Sequence, residues 1–502
     1  MVASIRQDAI ARLHLLEAHL TKLHDLEQAT FAVAFSIRER KNALKRSLPR
    51  LRSVIHPIRS LPNEILLNIL SWYALLSLPD VGANALEGLG PPDRLAGVCR
   101  KWYGLTKEMS SLWNNITIYP LEYPPYDSEA FANVNTYVKR SKLLPLTIDI
   151  TGDVEDMDSE GNKQLTRVAK VLRPSTSRWR TAKLLDVLTS LPANLSNATF
   201  DSLTHLTMTF HDSFDPLPPT FTWITPRLIE LSLWEPFPVV ELTWHVLRKF
   251  IAGYRSFAHL PHCRSLEVLE ILKPSHPDQD EVTDPVTLPR LRALCLTQDT
   301  PYFPATLSDL LIVPNLHSLR LIFGVEDAGI GNMFFYPTLQ GVIPQLRWLA
   351  VHSTRPAHPT FAAPFLQFLS QCTSLETLVL DAVFASTNVL TALSQVGNPP
   401  LLPRLTTLSV PPSAFLDNGA NLRNIIYSRT SSQNNTVQNL QRLNMLHIGT
   451  DYEEVDTSAE AFIQRSDEEA MAREEITSGP WRNAGDRVVI TEVYSESLTL
   501  ED

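Results

Sequence analysis

Residues able to do chemistry are scattered along this chain, and their spacing fits no catalytic or metal-binding frame. The densest acidic run is DVEDMDSEGNK, Asp153 to Lys163, which reads as a polar loop. A calcium loop needs glycine at its sixth position and glutamate at its twelfth. Counted from Asp153, those positions hold Asp158 and Gln164, so the frame fails. The 14 histidines are dispersed. Of the four cysteines, Cys263, Cys295 and Cys372 lie inside leucine-rich runs, Cys99 stands apart, and none forms a C-x-x-C pair. They read as buried thiols in a reducing compartment. No H-E-x-x-H, Walker A, G-x-G-x-x-G or G-x-S-x-G occurs. The expectation is a protein that is not an enzyme, takes no metal and no cofactor, and works by binding.

Binding surfaces need elements to carry them, and one stretch specifies its element closely. In HPIRSLPNEILLNIL, His56 to Leu70, Ser60 is a good N-cap and Pro62 suits a first helical turn. Glu64 sits near the positive end of the macrodipole. Ile65, Leu66, Ile69 and Leu70 fall on one apolar stripe. Downstream, PPDRLAGVCRKWYGL predicts a second helix capped by Asp93, with Leu95, Val98, Cys99, Trp102 and Leu105 as its stripe. A third short piece, SSLWNNITI, is read as helical with these two and carries Leu112, Trp113, Ile116 and Ile118. Three helices this short enclose little core, which favours a module docked on something else.

These residues resemble the F-box, the helical module by which substrate receptors attach to the Skp adaptor of ubiquitin ligases. The resemblance rests on LP-x-EIL-xx-IL, VCR-x-W and LW-xx-I. The opening HPIRSLPNEIL is also similar to F-box-like proteins abundant in mushroom-forming fungi. One departure is the stretch from Ser71 to Asp93, longer than the compact pattern, although surface insertions are thermodynamically cheap. An ordinary three-helix piece of a larger core is the alternative. The resemblance implies an adaptor-binding set of Leu61, Pro62, Glu64, Ile65, Leu66, Ile69, Leu70, Val98, Cys99 and Trp102.

Before this module, residues 1–56 predict one or two long helices. Leu13, Leu16, Leu20 and Leu23 step by three and four, and a similar face resumes after a break in register. The pattern is coiled-coil-like, without consistent charged flanks. From Arg38 to Arg59 there are eight cations against Glu39 alone, which reads as a solvated face, with nuclear targeting or phosphate binding as the alternative.

Between about 200 and 450 the chain writes Leu-x-x-Leu-x-apolar nine times, starting at Leu203, Leu228, Leu266, Leu291, Leu316, Leu346, Leu375, Leu405 and Leu443. The starts are 25 to 38 residues apart, close to leucine-rich repeats but irregular. The last two anchors of each unit share one face of a short strand, because strand side chains alternate. Pro226, Pro289, Pro314, Pro344 and Pro403 stand two residues before a first leucine and mark strand starts. TWHVLRKFIAG (Thr243 to Gly253) and PTFAAPFLQFLSQ (Pro359 to Gln371) have helical spacing and predict crossover helices. LLPLTIDI and SRWRTAKL predict further strands before the repeats. Residues facing away from the anchors, Glu230, Trp234, Glu270, Arg320, Trp348, His352, Asp381 and His447, are the candidate client-binding surface.

The predicted fold class is α/β: N-terminal helices and a helical F-box, then an irregular leucine-rich-repeat solenoid with a parallel sheet. A non-solenoid α/β domain is the alternative. The divisions are 1–56 helical, 57–118 F-box-like, 119–199 linking with possible degenerate first repeats, 200–450 repeats and 451–502 an acidic tail. That tail holds 15 acidic and 4 basic residues, net −11, and the remainder, with 40 basic and 39 acidic, is +1. In it, SAEAFIQRSDEEAMAREEI is a candidate helix and GDRVVITEVYSE a candidate last strand; a disordered acidic tail is the alternative. So acidic a balance argues against nucleic acid as the main partner. With no apolar leader and no membrane-length apolar run, a cytoplasmic or nuclear protein is expected. The resemblance implies a substrate-recognition subunit that joins the Skp adaptor and cullin core to an unknown client, and a repeat scaffold that has lost ligase assembly is the alternative.

Overall fold

A computed structural model describes residues 2–55, 61–76, 84–86, 91–119, 128–152, 159–185, 190–209, 221–234, 240–252, 259–271, 285–298, 311–323, 341–353, 361–395, 401–430, 440–447 and 489–494. The chain divides into two compact units, Met1–Ser77 and Leu78–Asp502.

The first unit holds two helices. Helix α1, Val2–Ile55, is a single unbroken helix of 54 residues rather than two. Helix α2 spans Asn63–Leu76. Its first intrahelical bond runs from the Leu66 N–H to the Pro62 carbonyl at 3.1 Å, so Pro62 occupies the cap position. Ser60, expected there, lies outside the described residues.

The second unit is an α/β, solenoid-like fold around one parallel sheet of fourteen strands among the described residues. In chain and spatial order these are β1 (Asn115–Ile118), β2 (Leu146–Thr151), β3 (Trp179–Leu185), β4 (His205–Thr209), β5 (Glu230–Trp234), β6 (Lys249–Ala252) and β7 (Val268–Ile271). They continue as β8 (Ala293–Gln298), β9 (Ser318–Phe323), β10 (Trp348–Ser353), β11 (Thr377–Leu380), β12 (Thr407–Val410), β13 (Arg442–His447) and β14 (Val489–Tyr494). Helices α3 (Pro91–Ala96) and α4 (Arg100–Glu108) precede β1, and α5 (Ser128–Arg140), α6 (Ser159–Leu172) and α7 (Ser190–Asn194) follow β1, β2 and β3. Helices α8 (Ala362–Gln371), α9 (Thr387–Ser394) and α10 (Pro412–Thr430) follow β10, β11 and β12. The final strand inside GDRVVITEVYSE is β14, paired in register with β13. The candidate tail helix lies outside the described residues.

Why the strands form where they do follows from the leucine spacing. Before each strand from β4 to β12 the first leucine closes a turn, its N–H bonding the carbonyl three residues back, as in Leu228 to Thr225 and Leu291 to Leu288. Four of the five prolines take the second position of such a turn and the fifth, Pro344, the same place in a 3-10 turn; their fixed φ suits it. They pre-form the turn that launches the strand rather than standing in it. Leu291, Leu294 and Leu296 are at most 3% exposed, and Leu375, Leu378 and Leu380 are fully buried. Each such side chain contributes roughly 1.5–3 kcal/mol when taken from water.

The register corrects the repeat count in two places. The 38-residue gap between Leu228 and Leu266 contains a further unit, Leu247, Phe250 and Ala252, whose strand is β6. Phe and Ala in place of the later leucines hid it. It also overturns the crossover helix expected at Thr243 to Gly253, which is a 3-10 turn, Trp244–Val246, followed by that strand. At the other end, Arg442 pairs with Thr407, so Leu440 starts the unit and Leu443 is its second anchor. Leu-x-x-Leu overlaps itself there, and only strand pairing resolves the frame. The helix expected within Pro359 to Gln371 is α8. The loop expected from Asp153 to Lys163 is helical from Ser159 onward.

The third short piece of the N-terminal module is also not helical throughout. SSLWNNITI forms a 3-10 turn at Ser110–Leu112 and then β1, which opens the sheet against β2. Ile116 and Ile118 face the core and are at most 1% exposed. Part of the long stretch after α2 lines this edge: the Ala85 N–H bonds the Thr117 carbonyl at 2.8 Å, and Asn84 Nδ2 donates to the Tyr119 carbonyl at 2.7 Å.

Candidate functional site: an exposed apolar helix face

The residues of α2 divide between two jobs. Leu66 and Leu70 are fully buried, while Ile65 is 46% and Ile69 40% exposed. The single stripe expected of these four is therefore two faces, one core and one surface. The surface face continues to Trp72, 64% exposed, and Tyr73, 39% exposed. Ile65, Ile69, Trp72 and Tyr73 stand at i, i+4, i+7 and i+8, one side of the helix. Leaving four large apolar side chains partly in water is costly, and such a patch is a recurrent mark of a protein-binding surface. Leu61 is partly buried, and Pro62 and Glu64 are exposed at the helix start. Trp72 and Tyr73 lie beyond the residues that carry the F-box resemblance, although the same helical spacing extended by one turn reaches both.

The second predicted helix breaks in two. Gly97 and Val98 bond back to Asp93 and Leu95, closing α3, and Cys99 caps α4 in an extended conformation. Of its expected stripe, Trp102 and Leu95 are buried, Cys99 is partly buried and Val98 is exposed. Leu66, Leu70 and Trp102 thus stabilise the fold and offer no surface to an adaptor. Asp93, expected as a cap, instead accepts a hydrogen bond from the Tyr137 hydroxyl of α5. Trp113 packs edge-on against Tyr137 at 4.9 Å, stacks under the Arg140 guanidinium and donates its indole N–H to the Thr106 carbonyl. These contacts lock α3, α4 and β1 to α5.

On the sheet, the candidate client residues are mostly engaged within the fold. Lys249 places its ammonium 3.3 Å from Glu230 and 3.8 Å from Glu270. His205 lies 3.6 Å from the other oxygen of Glu230. Such part-exposed pairs add little stability, but they satisfy the charge locally. Trp348 packs against Ala350 and Val379, and Arg320 is partly buried. Burial, with the Arg320 cation second, pushes the partly exposed His352 imidazole down to about 3. The Trp234 and His447 side chains lie outside the described residues.

Asp381 corrects its expectation outright, being 4% exposed. Its carboxylate accepts the N–H groups of Ser353 in the preceding unit and of Val383 and Phe384 at 3.0 and 2.9 Å. Burial pushes this carboxyl up to about 6 against the pull of those three bonds. It ties two units together, the task for which the sequence offers no repeated asparagine. Charge left free on the sheet lies instead at the strand starts. Arg227, Arg264, Arg290, Arg292, Arg347 and Arg404 are exposed and form no ion pair among the described residues. Each stands within two residues of a unit's first leucine, a signal available in the sequence.

Burial pushes the thiols of Cys263, Cys295 and Cys372 up to about 12, so they are poor nucleophiles. Among the described residues no group of three or more His, Cys, Asp or Glu side chains could hold a metal ion. None of the described helices is long and apolar enough to cross a membrane.

No curated protein matches the chain. Residues 58–119 match the family model described as F-box-like, covering α2, α3, α4 and β1. The chain carries an F-box-like domain in these residues.

Proposed function

We propose that the chain is a substrate-recognition subunit of a Skp–cullin–F-box ubiquitin ligase, itself without catalytic residues. The observation that carries the reading is the exposed apolar face of Ile65, Ile69 and Trp72 inside the matched domain. On this reading that face docks the Skp adaptor, and the sheet, taken as leucine-rich repeats, holds a client. Ligation then gains from raised local concentration, with the reacting groups on other subunits. The unpaired arginines at the strand starts are the best-placed client contacts, since guanidinium forks match carboxylates and phosphates.

The test is co-expression with a Skp adaptor. The unmutated chain co-purifies with the adaptor, and Ile65→Asp with Ile69→Asp abolishes this while the sheet unit unfolds at an unchanged temperature. No adaptor binding by the unmutated chain at micromolar concentration sinks the ligase reading. In the adaptor-bound form, reversing Arg290, Arg292 and Arg347 to Glu weakens client capture and spares the adaptor. The second reading is a repeat scaffold without ligase assembly. Its support is the tie of α3, α4 and β1 to α5, which gives these residues a structural role at the end of the sheet whether or not an adaptor binds.

A further inference from the structure

Helix α1 is one helix from Val2 to Ile55, and that continuity carries a single phase through the stretch where leucine spacing alone loses register. Stepping alternately three and four residues from Leu13 reaches Ile55 through thirteen positions, ten of them apolar; the exceptions are Glu27, Thr30 and Lys41. A seven-residue repeat sustained over about six heptads is the pattern of a left-handed two-stranded coiled coil. No described side chain of α1 between residues 12 and 48 is buried. Along the seam, Leu16, Leu20, Leu23 and Ile37 are 61 to 70% exposed.

We propose that α1 pairs with α1 of a second copy of this chain as an antiparallel coiled coil. The size is sufficient. From Leu13 to Ile55 the seam is about 63 Å long at 1.5 Å per residue, and with a helix width of about 10 Å its footprint is on the order of 600 Å² per copy. A standard stable interface buries about 800 Å² per partner, so the seam with its flanks reaches that range.

Charge decides both the occupant and the direction. Residues 38–52 carry seven cations against Glu39, while residues 1–30 carry four acids and three cations. A parallel pair in register sets the cationic halves side by side and faces Glu27 with Glu27 and Lys41 with Lys41 inside the seam. Like charges so placed work against association. The antiparallel pair lays each cationic half on the near-neutral half of the other copy. With layers formed between first and fourth heptad positions, Lys41 then faces Thr30, three residues from the other copy's Glu27, within reach of two long side chains. The resulting dimer presents two α2 faces and two sheets, so a client with two contact sites is held by avidity.

Light scattering on the full chain at micromolar concentration reads the mass directly. The expected result is a dimer, twice 56.4 kDa. Leu20→Asp with Ile37→Asp gives a monomer whose sheet unit melts as before. Glu27→Lys and Lys41→Glu each weaken the dimer by about tenfold, and the double charge swap restores it. A monomeric unmutated chain, or a dimer that survives Leu20→Asp with Ile37→Asp, overturns the proposal. Single swaps without effect, or a double swap that stays weak, overturn the antiparallel arrangement.

Discussion

At the residue scale, Asp381 and His352 show how the same sheet face turns titratable groups into structural ones. Asp381→Ala strands three backbone N–H groups at a junction between units. Lost bonds to a buried acceptor cost about 1–3 kcal/mol each, and removing a carboxyl that burial disfavours offsets part of that sum, so a net loss of roughly 2–4 kcal/mol is expected, read as a lower urea midpoint with an unchanged slope. His352 makes stability depend on pH. Its folded value lies below the ordinary 6.5, so the unfolded chain binds the proton first. Its contribution is therefore complete above that ordinary value and fades as pH falls toward about 3. Asp381 has the opposite sign: its raised value gives most stability below 3.8, lost as pH rises through about 6. His352→Gln should lose less stability than the unmutated chain between about pH 7 and about pH 5 in urea titrations. An equal loss in both proteins would rule the imidazole out.

At the element scale, β1 has two allegiances, to the F-box-like domain and to the sheet. It covers the edge of β2 and buries Ile116 and Ile118. A chain started at residue 120 exposes that strand edge and loses Trp113 from beside Tyr137. Open edges template aggregation. Such a truncation should melt several degrees lower and yield less dispersed protein, whereas Ile65→Asp with Ile69→Asp should leave melting of the sheet unit unchanged. If the truncated chain is as stable as the full one, β1 contributes nothing as a cap. The same pair separates binding from folding: a domain deletion confuses the two, and a substitution on the exposed face of α2 does not.

For the whole molecule, the division of labour follows from which surfaces the fold uses up. The leucine anchors are consumed in the core, and Glu230, Lys249 and Glu270 are spent on one another across β5, β6 and β7. What remains uncovered is an apolar face on α2, the seam of α1 and arginines along the strand starts. Self-association through α1 adds a second copy of each without touching the other two surfaces.

The sequence by itself determined the strands of the repeat region, because each rests on a local rule: leucine closes a turn, and alternation sends the next two anchors inward. It marked the segments of β2, β3 and β14 as candidate strands, the last beside a disordered-tail alternative, and located the F-box-like domain by residue identity. It misjudged β6, where Phe250 and Ala252 replace leucine, and the frame at Leu440, where the motif overlaps itself. Only tertiary structure decided which half of the α2 stripe is core. An apolar stripe records that a residue avoids water, not whether its own chain or a partner supplies the cover. Likewise Asp381, read as a surface acid, has a donor 28 residues away, and Lys249 meets acids from both neighbouring strands. Such partners are set by strand register, a long-range property that composition and spacing do not encode.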